Sequence, residues 1–392
     1  MKQRAWQNPH TLLILMSVAM PIAFSTWAAL LNNFVVERAA FTGIEIGFLQ
    51  SLREVPGFLA FTTVFVLLLI REQTFAVIAL ALLGGGVALA GVFPTFVGLC
   101  LTTFVLSTGF HYFEVVKQSL ALQWYEHADA PRALGKLISV GSVTSLVVYA
   151  ALWVFLALLE VDYIWIFLLA GGTSVVLAVF MWVGFPVFAT KHQQTNKLIL
   201  RKRYWLYYAL QFFSGARRQI FMVFAAFLMV EKFGYSAAQV TMLFLINYVF
   251  NWLFAERIGS LIGRIGERRA LTIEYIGLII VFTSYAFVTN PHVGAALYVI
   301  DHMFFALAIA INTYFQKIAN PEDIASTAGV SFTINHIAAI VVPAALGFVW
   351  VVSHSAVFLI GTGFALCSLL LSQNIPTRPV KGNEVNWAWV RT

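Results

Sequence analysis

Twelve apolar stretches, each of a length that crosses a bilayer, fill most of this 392-residue chain, and basic residues gather in alternate connections between them. A span needs about 20 mostly apolar residues to cross roughly 30 Å of hydrocarbon. The stretches lie near 11–36, 42–70, 74–92, 94–122, 136–159, 163–187, 204–230, 236–256, 270–289, 293–317, 324–351 and 355–373. Charged residues make up only 10% of the chain, whereas a soluble domain carries roughly a quarter. The pattern predicts an all-α, multi-pass membrane protein of twelve transmembrane helices. It offers no phosphate loop, metal-ligand cluster or nucleophile elbow, so neither an enzyme nor a nucleotide-driven pump is expected, and no cofactor.

The net charge of +7 is a topology signal. With the N-terminus placed inside, 18 lysines and arginines fall on the inner side, Arg38 and Lys232 fall outside, and four lie within spans. This positive-inside bias predicts that both termini are cytoplasmic, and it removes nucleic acid from the expected partners. The N-terminal apolar run continues past Ala28 to Val36, too long for a cleaved signal core. Cys100 and Cys367 both lie in spans and imply no disulfide or metal framework.

The longest polar connection, 189–203, divides the chain into an N-terminal six-helix bundle (1–188) and a C-terminal one (204–374), with a tail from 375 to 392. Phe34-Val35-Val36-Glu37-Arg38 with Thr42 at the end of span 1 corresponds to Leu228-Met229-Val230-Glu231-Lys232 with Ser236 at the end of span 7. Ala130-Pro131-Arg132 after span 4 corresponds to Asn320-Pro321-Glu322 after span 10. Such correspondence suggests two parallel repeats.

Between spans 8 and 9 lies Gly259-Ser260-Leu261-Ile262-Gly263-Arg264-Ile265-Gly266-Glu267-Arg268-Arg269. It resembles the cytoplasmic loop signature of the major facilitator superfamily, G-x-x-x-D/G-R-x-G-x-R-R. The resemblance implies two six-helix bundles and transport by alternating access, with Gly259, Gly263, Arg264, Gly266, Arg268 and Arg269 as a cytoplasmic gate. Glycines there permit a tight turn, and arginines pair with carboxylates to hold one state closed. Glu256 and Glu274 flank the loop as candidate partners. The chain departs from the family's proton–drug antiporters. The span 2–3 connection is only Arg71-Glu72-Gln73, and span 5 reads Val140-Gly141-Ser142-Val143-Thr144-Ser145 with no Gly-Pro pair.

Ionisable residues inside spans are costly and mark candidate sites. Arg53 with Glu54 on span 2 reads either as an anion contact beside a proton carrier or as a structural ion pair. Arg217 and Arg218 on span 7 point about 100° apart on a helix. Each either holds an anionic solute or pairs with Glu54, Asp301 or Glu114. On span 4, His111 is a candidate proton or substrate group, and Glu114 has Lys117 as an alternative partner. Asp301 and His302 on span 10 read as a proton site or an outer-gate contact. Spans 1, 4, 7 and 10 line the central cavity in the superfamily, which adds Asn32 and Gln211 as expected substrate contacts and ranks Glu274 below them.

The sequence therefore predicts a secondary transporter of a small polar, anionic solute, coupled to protons and monomeric in a plasma membrane of the bacterial inner-membrane type. Arg53, Arg217, Arg218, Asn32, His111 and Gln211 would bind substrate, and Glu54, Asp301, Glu114 and His302 would handle the proton. Efflux of hydrophobic or cationic drug-like compounds is the alternative within transport. A non-transporting sensor or scaffold is the alternative outside it.

Overall fold

The computed structural model describes residues 5–124, 130–188, 200–320 and 324–386. Among them eleven helices are long and apolar enough to cross a membrane. The helices in chain order are α1 (Pro9–Ala39), α2 (Gly43–Phe58), α3 (Glu72–Ala90), α4 (Phe96–Trp124), α5 (Ala130–Ala157) and α6 (Tyr163–Gly184). They continue with α7 (Lys202–Glu231), α8 (Ala237–Ile265), α9 (Glu267–Phe287), α10 (Pro291–Ile318), α11 (Ile324–Val352) and α12 (His354–Ser372). The expected second span is the one that falls short. Here α2 stops at Phe58 and passes into a 3-10 turn, Leu59–Thr62, and a short helix, Thr63–Val66. Pro56 lies in the last turn of α2; it donates no backbone N–H and its ring crowds the preceding turn, which breaks a regular helix.

Helix starts follow local chemistry. Asn8 accepts from the Thr11 amide ahead of Pro9, and Asn290 accepts from His292 ahead of Pro291. Asp162 and Ser353 cap α6 and α12 in the same way. Each side-chain oxygen satisfies an amide that the first turn leaves unpaired.

The chain forms two compact units, residues 1–41 with 52–195 and 236–245, and residues 42–51 with 196–235 and 246–392. The boundary expected at 189–203 lies outside the described residues as far as 199. Within the first unit α3 packs on α4 and α6, and α1 packs on α5 and α6. Within the second, α9 packs on α10 and α12, and α7 packs on α11 and α12. Each pairing recurs six helices later, as the sequence correspondence suggests.

Small residues make the α3–α6 contact possible. A Cβ on Gly84 would lie 2.7 Å from the Gly171 carbonyl oxygen and 3.0 Å from the Ser174 side chain. Close backbone approach through small residues is a main source of helix association where lipid replaces water. Gly84→Leu is therefore expected to destabilise the protein by about 1–3 kcal/mol through overpacking. The loss is read as a lower thermal midpoint in detergent, and an unchanged midpoint would contradict this packing.

Candidate functional site

The second unit buries a charge cluster. Arg217 on α7 places Nη2 3.4 Å from Glu274 Oε1 on α9, and neither side chain has any solvent exposure. The guanidinium lies 4.4 Å from the centroid of the Tyr275 ring. Asp301 on α10 is also fully buried, and both its carboxylate oxygens lack a hydrogen-bond partner among the described residues. It lies within electrostatic range of Arg217 and Glu274, and of Tyr285 and Tyr298. The cluster thus brings two carboxylates to one guanidinium. If all three ionise, one negative charge stays buried without a partner, which costs several kcal/mol.

The helix carrying Arg217 loses its regularity just beyond it. Ile220–Ala225 forms a π-helical turn, a feature that re-aims side chains and occurs often at functional positions. His302, next to Asp301, is only partly buried and stacks loosely on Phe221, with ring centroids 6.2 Å apart.

The neighbouring arginine faces elsewhere. Arg218 is partly exposed, and its Nη2 donates to Asn335 Oδ1 of α11 at 3.4 Å. On α7, Gln211, Ser214 and Arg218 are spaced by three and four residues and so share one face. Gln211 and Ser214 line a cavity of about 460 Å³ together with Asn312 and the α10 segment from Phe305 to Ile311. At that place α10 tightens into a 3-10 turn, Ala306–Ala308. Broken helices in spanning segments are tolerated where the irregular backbone is buried in protein or lines a cavity.

In the first unit Arg53 and Glu54 form a buried ion pair between adjacent side chains. The Arg53 guanidinium lies 5.8 Å from the Trp27 ring centroid of α1, and its backbone carbonyl accepts from Ser107 of α4. His111 Nδ1 is 3.0 Å from Ser107 Oγ, which links it to the same group. Asn32 is buried, with Oδ1 lacking a donor among the described residues. Glu114 lies outside this cluster and pairs with Lys117 one turn along α4 at 2.5 Å.

The glycine–arginine motif differs from the loop expected. Helix α8 runs on to Ile265, so Gly259, Gly263 and Arg264 are helical. Only Gly266 turns the chain, at φ +83 and ψ 159, a conformation strained for any residue with a Cβ. Arg268 donates to Gln373 Oε1 beyond α12 at 3.2 Å, and Glu267, buried, pairs with Lys317 at 2.5 Å. Arg264 and Arg269 are exposed. Of the two acidic partners expected for these arginines, Glu274 is instead committed to Arg217. The Glu256 side chain lies outside the described residues.

The family model described as Major Facilitator Superfamily matches residues 11–343. The chain belongs to that superfamily. Among solved structures, a single-residue variant of the nucleoside transporter NupG superposes with TM-score 0.78 at 17% identity, covering 93% of this chain and 99% of that one. A bacterial homologue of the human lysosomal transporter Spinster, in an inward-facing and occupied conformation, gives TM-score 0.72 at 11% identity. It covers 93% of this chain and 95% of that one. No curated protein matches the sequence. This superfamily member is thus a multi-pass membrane transporter, and not an enzyme.

Two residues that this transporter buries at its charge cluster, Glu274 and Tyr275, stand outside the substrate and proton groups expected from sequence. The sequence ranks Glu274 below the residues of spans 1, 4, 7 and 10 because it lies outside those spans and close to the cytoplasmic face. The start of α9 at Glu267 carries it two turns inside. Tyr275 follows it and covers the guanidinium; an aromatic residue in an apolar run carries no sequence signal of that role.

Proposed function

We propose that this chain is a proton-coupled secondary transporter of a small polar solute with an anionic group, working by alternating access. The observation that carries the reading is the division of labour between two adjacent arginines. Arg217 is spent on Glu274 and the buried cluster. Arg218 stays partly exposed on the face of α7 that lines the cavity. A guanidinium there offers a planar, bidentate site for a carboxylate or phosphate. Arg217 is then a positioning residue, holding the two carboxylates near one another.

The proton reading rests on charge balance. With one guanidinium for two carboxylates, a proton on Asp301 or Glu274 leaves the cluster neutral, and its release leaves one negative charge. Asp301 is the better carrier, because its oxygens have no donor while Glu274 holds Arg217. In the first unit, the pairing of Arg53 with Glu54 supports a positioning role for both. His111 is the group of that cluster whose ordinary pKa lies nearest neutrality.

The test is thermal stability of the purified protein against organic acids, phosphorylated metabolites, amino acids and lipophilic cations. A ligand at a hundred times its Kd stabilises by about 2.7 kcal/mol. Acids are expected to raise the midpoint, and Arg218→Gln is expected to weaken them about 10- to 100-fold, the value of a hydrogen bond to a charged group. A shift from lipophilic cations that survives Arg218→Gln would overturn the anion reading and favour drug-type efflux.

A further inference from the structure

The cavity at the break in α10 has its own chemistry, and among the described residues no charged side chain lines it. Gln211 Nε2 donates to Asn312 Oδ1 at 3.0 Å and to the Tyr207 hydroxyl at 3.2 Å. Both protons of that amide are then used. What remains on the cavity-lining pair is one acceptor, Gln211 Oε1, and one donor, Asn312 Nδ2, neither bonded among the described residues. Turning both amides over leaves the same complement, since Gln211 then offers the donor and Asn312 the acceptor. The pair is thus an amide edge, joined by the hydrogen bond between the two side chains, that keeps one donor and one acceptor whichever way round they are assigned.

The walls suit a flat group. Phe305 supplies an aromatic surface, and Ala306 and Ala308 keep the 3-10 turn free of bulk. The volume, about 460 Å³, lies within the roughly 300–1,000 Å³ usual for small-molecule pockets. Farther along α7, Arg218 lies seven residues from Gln211, about 10 Å along the axis at 1.5 Å per residue. An arginine side chain spans several ångströms of that, and helical side chains lean toward the N-terminus, here toward the cavity.

We infer that this cavity is a subsite for an amide, lactam or ureide group, whose N–H and C=O meet the Gln211–Asn312 edge. The inference rests on the anion reading only for the other end of the solute, where a carboxylate meets Arg218. The substrate class is an acid that carries an amide, such as an N-acyl amino acid. A simple dicarboxylate would leave the edge unmatched, and a desolvated polar group without a partner weakens binding by about tenfold or more.

Matched probes separate the two ends. N-acetylglycine has both groups, levulinate replaces its N–H by CH2, and N-methylacetamide keeps the amide without the acid. Binding of each to the purified full-length protein is measured by thermal shift, with N-acetylaspartate and 5-oxoproline as larger and cyclic members of the class. N-acetyl acids are expected to bind at least about tenfold more tightly than levulinate, one hydrogen bond being lost. Asn312→Asp, at an exposed position, is expected to weaken N-acetylglycine and levulinate alike and to keep the preference between them, because it removes the donor to the carbonyl that both carry and leaves the Gln211 acceptor for the N–H. Equal binding of N-acetylglycine and levulinate, both lost in Arg218→Gln, would overturn the amide subsite and leave the anion reading standing. Equal binding of N-acetylglycine and N-methylacetamide, untouched by Arg218→Gln, would keep the subsite and overturn the anion reading. Failure of every N-acyl acid to bind while other acids bind would overturn the subsite.

Discussion

Glu274→Gln is expected to destabilise the protein by about 3–5 kcal/mol, the loss that follows when one partner of a buried ion pair is removed. The reason lies in what stays behind. Arg217 has no solvent exposure, so its charge would face a neutral amide on one side and Asp301 on the other. Arg217→Met is expected to cost as much, because Glu274 and Asp301 would then share a dry interior with no cation. The paired change, Arg217→Met with Glu274→Met, is expected to recover most of the loss in stability, since two apolar side chains of similar length replace the pair and Asp301, left alone, stays neutral by holding its proton. Transport should not recover with it. Thermal unfolding of the unaltered protein, Arg217→Met, Glu274→Met and the double variant in one detergent measures the first claim, and additive losses in the double variant would contradict the pairing.

Asp301→Asn is expected to separate solute movement from proton movement. The amide matches the carboxylate in size and takes up no proton at the oxygen, so folding should survive. With one proton per solute, a gradient of one pH unit sustains about tenfold accumulation, 1.4 kcal/mol being a factor of ten. In proteoliposomes the variant is expected to accumulate nothing above equilibrium, while exchange of labelled for unlabelled solute at equal pH continues. Gradient-driven accumulation at the unaltered level in Asp301→Asn would move the proton to another group.

The positions of the spans were legible because each must be apolar for about 20 residues, a signal too long to be mimicked by chance. The start of α9 was not, because capping and hydropathy leave a helix end uncertain by a few residues. Glu274 reads as a partner of the motif arginines because nothing in its own segment shows the tertiary contact with Arg217. Local breaks were also out of reach. Pro56 announces the end of α2, but nothing in Ala306-Leu307-Ala308 distinguishes a 3-10 turn from an ordinary helical one. The pair Arg217–Arg218 was recognised as a candidate site, yet adjacent residues on a helix differ only in direction. Their partners separate them: Arg217 reaches Glu274 of α9, 57 positions away, and Arg218 reaches Asn335 of α11. The glycine–arginine motif, expected as a loop, is instead helical over its first two glycines, because helix formers surround them and extend α8 as far as Gly266.

The most direct test of the account is the proton itself. The organic acid that most stabilises the purified protein is added to lightly buffered proteoliposomes containing a pH-sensitive dye, with no gradient imposed. Coupled movement predicts a change of external pH that tracks solute uptake, collapses with a protonophore and is absent in Asp301→Asn. Solute uptake at full rate without any such change would contradict a coupled transporter and leave a facilitator of passive flux.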